Sequence, residues 1–345
     1  MILPGSQFFN LILLAFGMIC WGLWASTFRM TAKWRFELYY FDFALGALIA
    51  AVLIGFTFGS LGWDGFALTD DLRIAGKRED AFAALAGVVF NAGNMFILGA
   101  LSVAGVTVAY TIGLGLMFAS GFVVTDLISH SGNGIVLFTG SLLIAAAAVL
   151  LAVAWRSQSL DRLAVLIREG RTKSTRKTVS LKGLLFAAIG GIVGGAYFPL
   201  VDFARQAEDG LGPYALGMFF AIGIFISTPV FNLFFMNLPI RGEPLEVTAY
   251  LSGKPKSHLL GILGGVLLYA GIAASLIVAR AEGRNIVPAA ALRALMFAAP
   301  MVGGLTGLTR WKEFAGAESN VRFFVAVSAV LFVAGVAGIS LSANF

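Results

Sequence analysis

The sequence predicts an all-α integral membrane protein whose ten transmembrane helices form two inverted five-helix repeats. Three observations lead there. Hydrophobic residues make up 59% of the 345-residue chain and charged residues only 12%, with a mean hydropathy of +0.90, unlike any ordinary soluble domain. Apolar runs of about twenty residues, each able to cross a hydrocarbon core of about 30 Å as a helix, recur along the whole length. One long basic connection, 156–181, divides those runs five and five.

The predicted spans cover 7–28, 39–60, 82–102, 105–127, 134–155, 182–203, 213–237, 258–279, 286–308 and 321–343. The alternation in segments of about ten residues that marks a transmembrane β-barrel is absent. No Lys or Arg precedes Arg29, so the first run lacks the basic start of a cleavable signal peptide and is expected to remain as a helix. The single cysteine, Cys20, lies inside that run, and the two histidines, His130 and His258, are far apart in sequence. No disulfide framework, metal centre or cofactor is expected. The formal charge of +6 follows membrane topology rather than a nucleic-acid partner.

Charge orients the spans. Arg29, Lys33 and Arg35, eight basic residues from Arg156 to Lys182, and then Arg241, Lys254, Lys256, Arg310, Lys312 and Arg322 all fall on one side, which makes 17 of the 24 Lys and Arg. The positive-inside tendency therefore puts both termini outside and the central basic loop in the cytoplasm of an inner, multi-pass membrane protein. The acidic loop 64–80 suits the outer face.

The expected domains are 1–155 as the first repeat, 156–181 as a linker and 182–345 as the second repeat. In the linker Leu160, Leu163, Ala164 and Ile167 alternate at helical spacing with Arg162, Arg168 and Glu169, which predicts an amphipathic helix along the cytoplasmic surface. No GxxxxGK[ST] phosphate loop is present. The string 13–24, LLAFGMICWGLW, is echoed by 184–196, LLFAAIGGIVGGA, and each precedes a short charged loop and a Tyr-led span. Five helices per half is an odd number, so the second copy runs upside down, as in many secondary transporters.

The polar residues inside the spans carry whatever function exists. Asn91 and Asn94, three apart in GVVFNAGNMFIL (87–98), point the same way on a helix. Lipid cannot satisfy an amide, so both must face protein or a watery cavity. They serve either as interhelical glue or as contacts for a solute. Trp21 and Trp24 form an aromatic stripe with Phe28, suited to stacking on planar rings or to simple packing. Tyr110, Tyr197, Asn232 and Arg293 complete the candidate solute-binding set, Arg293 either snorkelling or meeting an anionic group. Asp42 is a candidate proton carrier, the plain alternative being an ion pair with Arg35 or Arg29. Asp202 either couples or pairs with Arg205 three residues on, and Pro199 either gates or merely kinks its span. Glu313 reads as an interfacial anchor. No catalytic constellation appears, so the chain is not expected to be an enzyme.

YYFDFALGALIAAVLIGFTFG (39–59), AGVVFNAGN (86–94), SGNGIVLFTGSLLIAAAAVLLAVAWR (131–156), YFPLVDFA (197–204), TPVFNLFF (228–235), the AYLSGKP run (249–255) and APMVGGLTGLTRWKEF (299–314) follow one another along the chain. Together they resemble the ureide permease family of the drug/metabolite transporter superfamily, and are similar to its bacterial glucose/ribose porter relatives. The resemblance implies a ten-helix permease for ureides, nucleobases or sugars, often moved with protons, working in the lipid bilayer as a monomer or homodimer. Asp202, Gly271 and Thr306 depart from the family pattern on helices expected to line the cavity, and the Walker-type sequence of the plant members' central loop is missing. Export of drugs or amino-acid-like metabolites, or a receptor that binds without transport, are the alternatives.

Overall fold

The computed structural model describes residues 1–31, 34–130, 132–170, 181–206, 210–240, 242–282 and 286–344. Lys33, Arg241 and the stretch 171–180 of the expected linker lie outside them. The described residues are 82% helical and contain no strand, and ten of the helical segments are long and apolar enough to cross a membrane.

In chain order the helices are α1 (Gln7–Met30), α2 (Phe36–Phe56), α3 (Leu68–Ile74), α4 (Lys77–Ala104), α5 (Val106–Ser129), α6 (Gly134–Arg168), α7 (Lys182–Gly195), α8 (Tyr197–Gln206), α9 (Pro213–Asn237), α10 (Pro255–Glu282), α11 (Ala289–Met296), α12 (Ala298–Thr309) and α13 (Ser319–Leu341). Local chemistry marks several starts. Ser6 accepts the Phe9 N–H at the head of α1, Asn133 accepts the Val136 N–H at the head of α6, and Pro213 occupies the first turn of α9, where its missing N–H costs nothing.

Two spans are broken. The sixth splits into α7 and α8 at Ala196, and the ninth splits into α11 and α12 at Phe297. In each case a proline follows three residues later, Pro199 or Pro300. Its ring collides with the carbonyl one turn back and its nitrogen offers no proton, so the ladder opens at that point.

The sequence-based limits need two corrections. The helix of the fifth span does not end near residue 155: α6 runs unbroken for 35 residues to Arg168, about 52 Å at 1.5 Å per residue. Leu160, Leu163 and Ile167 therefore continue that helix and do not form a separate one. The acidic loop 64–80 also holds a short helix, α3, whose buried Asp71 accepts the Gly212 N–H at 3.0 Å and so ties that loop to the start of α9.

The packing closes a ring. α1 lies against α10, α10 against α2, α2 against α9, α9 against α4, α4 against α7, α7 against α5, α5 against α12, and α12 returns to α1. α6 and α13 pair with each other outside it and turn Phe138, Leu142, Val149, Phe323 and Val330 outward, as lipid-facing helices do. Small residues let the ring close. A Cβ added at Gly93 would sit 2.5 Å from the Gly190 carbonyl oxygen, and one at Gly17 2.4 Å from Ala274. At these seams the backbones touch, which maximises dispersion where lipid leaves little hydrophobic driving force.

Candidate functional site

Inside the ring the side chains are large and aromatic. Trp21, Trp24, Tyr40, Phe43, Phe90, Tyr110 and Phe118 are all fully buried. Trp24 lies 4.8 Å from the Phe43 ring and 5.5 Å edge-on to Tyr110, and Phe43 lies 5.0 Å from Tyr40. Trp21 meets Phe90 and Phe118 edge to face, the orientation the ring quadrupole favours. The Trp21–Trp24 stripe therefore faces protein and not acyl chains. Tyr110 donates its hydroxyl to the Trp21 carbonyl, which pins α5 to α1.

Asn91 and Asn94 are completely buried. Tyr40 donates its hydroxyl to Asn91 Oδ1 at 2.7 Å, while the Asn91 amide nitrogen donates to Ser227 Oγ at 2.8 Å, Thr228 Oγ1 at 3.1 Å and the Ile224 carbonyl at 3.1 Å. Every capacity of this amide that matters is used within the bundle, so Asn91 joins α2, α4 and α9. Asn94 differs. Its nitrogen donates to the Tyr40 hydroxyl at 2.9 Å, but its Oδ1 finds no partner among the described residues. Trp21 Nε1, Trp24 Nε1, Thr107 Oγ1 and both amide atoms of the fully buried Asn232 are likewise unpartnered. A buried polar group left unpaired costs about 1–3 kcal/mol. Most folds leave few of them, so this group of orphans calls for an explanation.

A second site lies where α5, α8, α10 and α11 end or begin on one face. There a cleft of about 300 Å³ is lined by Phe122, Tyr197, Phe198 and Met296 together with Asp202, Arg205, Glu282 and Arg293. Asp202 accepts Arg205 Nε at 2.7 Å, so the pairing reading of that spacing is what forms. Arg205 also donates Nη1 to the Ala279 carbonyl at 3.1 Å. Arg293 does not snorkel away: it donates to Ser342 Oγ at 2.7 Å and lies over the Phe122 ring at 5.4 Å. Tyr197 sits edge-on to Phe90 at 5.5 Å, so an aromatic column runs from the cleft to Trp21. Pro199 stands in the first turn of α8, just past the break, and so aims the cleft residues of that half-helix.

On the opposite face the ion-pair alternative for Asp42, with Arg35 or Arg29, does not form. Arg35 goes to Glu37 at 2.6 Å and to the Glu243 carbonyl at 2.9 Å, and Arg29 lies over Trp311. Asp42 instead accepts the Tyr250 hydroxyl at 2.5 Å and meets His258 Nδ1 at 2.8 Å. Trp34 packs edge-on to the His258 ring at 4.7 Å and stacks on Tyr250. Burial, then the bond given to Asp42, pushes the Tyr250 phenol well above its usual range. Neither partner was legible beforehand, because each is more than 200 positions away. Tyr40, Ser227, Thr228 and Glu282 were also passed over. For Tyr40 a signal existed in its place beside the Asp42 string.

Glu313 ties two segments together. Its carboxylate accepts the Val106 and Thr107 N–H groups, both at 2.8 Å, and so caps the first turn of α5. Negative charge is favoured there by the helix dipole.

Among the described residues no group of three or more His, Cys, Asp or Glu comes together to hold a metal. No family model matches the chain, and no curated protein matches it. A solved structure described only as "Crystal structure of protein" is similar over 98% of this chain and 99% of its own, with a TM-score of 0.51 and 17% identity. At that identity the likeness speaks for the fold alone; the ten apolar helices of this chain are compatible with a membrane transporter.

Proposed function

We propose that the chain is a secondary transporter for a small polar solute, working by alternating access with its central site between Trp21, Trp24, Asn94 and Asn232. In this reading it is a carrier and not an enzyme. The observation that carries it is the set of fully buried indole and amide groups with no partner. A closed bundle that keeps such donors and acceptors unpaired gives up stability, which makes sense where a guest takes up the bonds once the site opens. The sequence resemblance to ureide permeases and their sugar-porting relatives supports the same reading and supplies the first solutes to try.

Helix pairing supports two inverted repeats. α1 crosses α10 antiparallel, with Gly17 near Ala274 and Trp21 near Gly271, and α7 crosses α4 antiparallel, with Gly190 near Ile97 and Gly194 near Gly93. Counted as spans, the pairs are 1 with 8 and 6 with 3, related by an advance of five. The pairs α2 with α10 and α9 with α4, spans 2 with 8 and 7 with 3, obey the same relation. Odd-numbered repeats of this kind give one site two opposite exits.

Proton coupling belongs to Asp42. Its carboxylate, held by His258 and Tyr250, bolts α2, α10 and the 247–250 turn together on the face away from the cleft. Protonation removes the charge that both partners bond to, which loosens that bolt.

Counterflow in liposomes with a panel of ureides, nucleobases and pentoses tests the reading. Asn94→Ala leaves the Tyr40–Asn91 bond in place and removes one bond to Tyr40 together with an unpaired Oδ1, so it should cost less stability than Asn91→Ala while solute binding weakens about tenfold. Asn91→Ala strands Tyr40, Ser227 and Thr228, and should cost about 1–3 kcal/mol of stability. Absence of counterflow for the whole panel, with Asn94→Ala silent in binding, would remove the reading.

A further inference from the structure

The cleft between α5, α8, α10 and α11 carries chemistry that neither a sugar nor a nucleobase requires. We propose that it binds a small zwitterion, a molecule with one carboxylate and one ammonium group on an apolar body. The proposal deepens the transporter reading and rests on it for the solute's onward path, though not for its binding.

Among the described residues four formal charges line the cleft and cancel: Arg205 and Arg293 against Asp202 and Glu282. Contact neutralises only part of this set. Asp202 with Arg205 is the one contact ion pair among these four. Glu282 lies near enough to Arg205 and Arg293 to feel both electrostatically, yet no ion pair joins it to either among the described residues. Arg205 uses Nε on Asp202 and Nη1 on the Ala279 carbonyl, and its Nη2 makes no hydrogen bond among the described residues. The cleft therefore presents a guanidinium donor and a carboxylate acceptor that face the same space and stay apart.

A solute that carries only a carboxylate would satisfy Arg205 and then lie against two acids, and one that carries only an ammonium would meet two guanidiniums. Inside a half-buried cleft such a charge is poorly screened, so each mismatch is expensive. A zwitterion laid with its carboxylate towards Arg205 and Arg293 and its ammonium towards Glu282 offsets both. Hydroxyl groups of a sugar could reach the same atoms, but would trade charge-assisted bonds for weaker neutral ones. The remaining wall, Phe122, Tyr197, Phe198, Leu276, Leu292 and Met296, suits an apolar side chain. At about 300 Å³ the space is at the lower end for small-molecule sites, about 300–1,000 Å³, which fits a free amino acid. A lipid headgroup of the ethanolamine type shares the charge pattern and must be separated by experiment.

The test uses full-length protein in detergent and measures binding by calorimetry for phenylalanine and leucine, for their N-acetyl and methyl-ester derivatives, for a pentose, and for short-chain phosphatidylethanolamine. The expected result is binding of the free amino acids with both blocked forms weaker by at least about tenfold. Glu282→Gln should weaken the zwitterion by about tenfold and abolish the preference over the N-acetyl form. Arg205→Lys, which keeps the charge but loses the fork, should weaken it less. Blocked and free forms binding alike to the wild type would overturn the proposal even if no variant folds. So would binding of the phosphatidylethanolamine alone, or amino-acid affinity unchanged in a folded Glu282→Gln protein. Zwitterion binding lost in Glu282→Gln without any counterflow would keep the cleft site and remove transport, whereas pentose counterflow without zwitterion binding would do the reverse.

Discussion

Asp42 and Asp71 are both buried carboxylates, and their surroundings set them apart. Among the described residues Asp71 has only the Gly212 N–H as a close donor, and burial outweighs that bond and the pull of Arg280, so its pKa is raised. An acid raised in the folded state favours folding below its unfolded pKa, and that contribution is lost as pH rises through the folded value. Asp71→Asn keeps an acceptor for Gly212 and removes the buried charge. The variant should melt above the wild type at neutral pH, with the gain shrinking as the pH approaches 4, in paired thermal scans. Asp42 answers to transport. Asp42→Asn should flatten the dependence of counterflow on pH between about 5.5 and 8, and an unchanged profile would remove the coupling role. The burial of both asparagines was legible in the sequence, because hydrocarbon offers an amide no partner. The division of labour between them was not, since it depends on Ser227 and Thr228, which come within reach only through folding.

Among the elements, the broken spans bear most directly on motion. α8 and α11 carry three of the four charged residues named in the cleft, Asp202, Arg205 and Arg293, and each hangs from a break set by a proline. Pro199→Ala and Pro300→Ala restore the missing donor and remove the ring collision. Each should leave the melting temperature unchanged or higher while counterflow falls more than solute binding does. Equal losses in both would show that the breaks shape the cleft and do not swing. Pro199 announced a kink in the sequence, and the break came where that reading put it, within one turn. Pro300 drew notice only as part of a family-like string, and α3 went unseen because seven residues with two aspartates and an arginine carry no apolar run.

For the whole molecule, ten spans could be read from hydropathy alone because a helix that must satisfy its own backbone in lipid needs length and little else. Their arrangement could not, since lipid is as apolar as leucine and the partners are chosen by shape. Gly93 tests that choice. Gly93→Ala drives a methyl against the backbone of α7 and should cost about 1–3 kcal/mol, whereas Gly5→Ala, with nothing within 4 Å, should be neutral in the same melting assay.

One residue, Gly105, is all that separates α4 from α5, with φ at +87° and the Glu313 carboxylate pressed against it. A single link reaches at most about 3.6 Å, less than the 5.4 Å pitch of a helix. Spans three and four must therefore travel in lockstep, leaving tilting as the stroke available to this hairpin and ruling out a lift that carries either arm past the other.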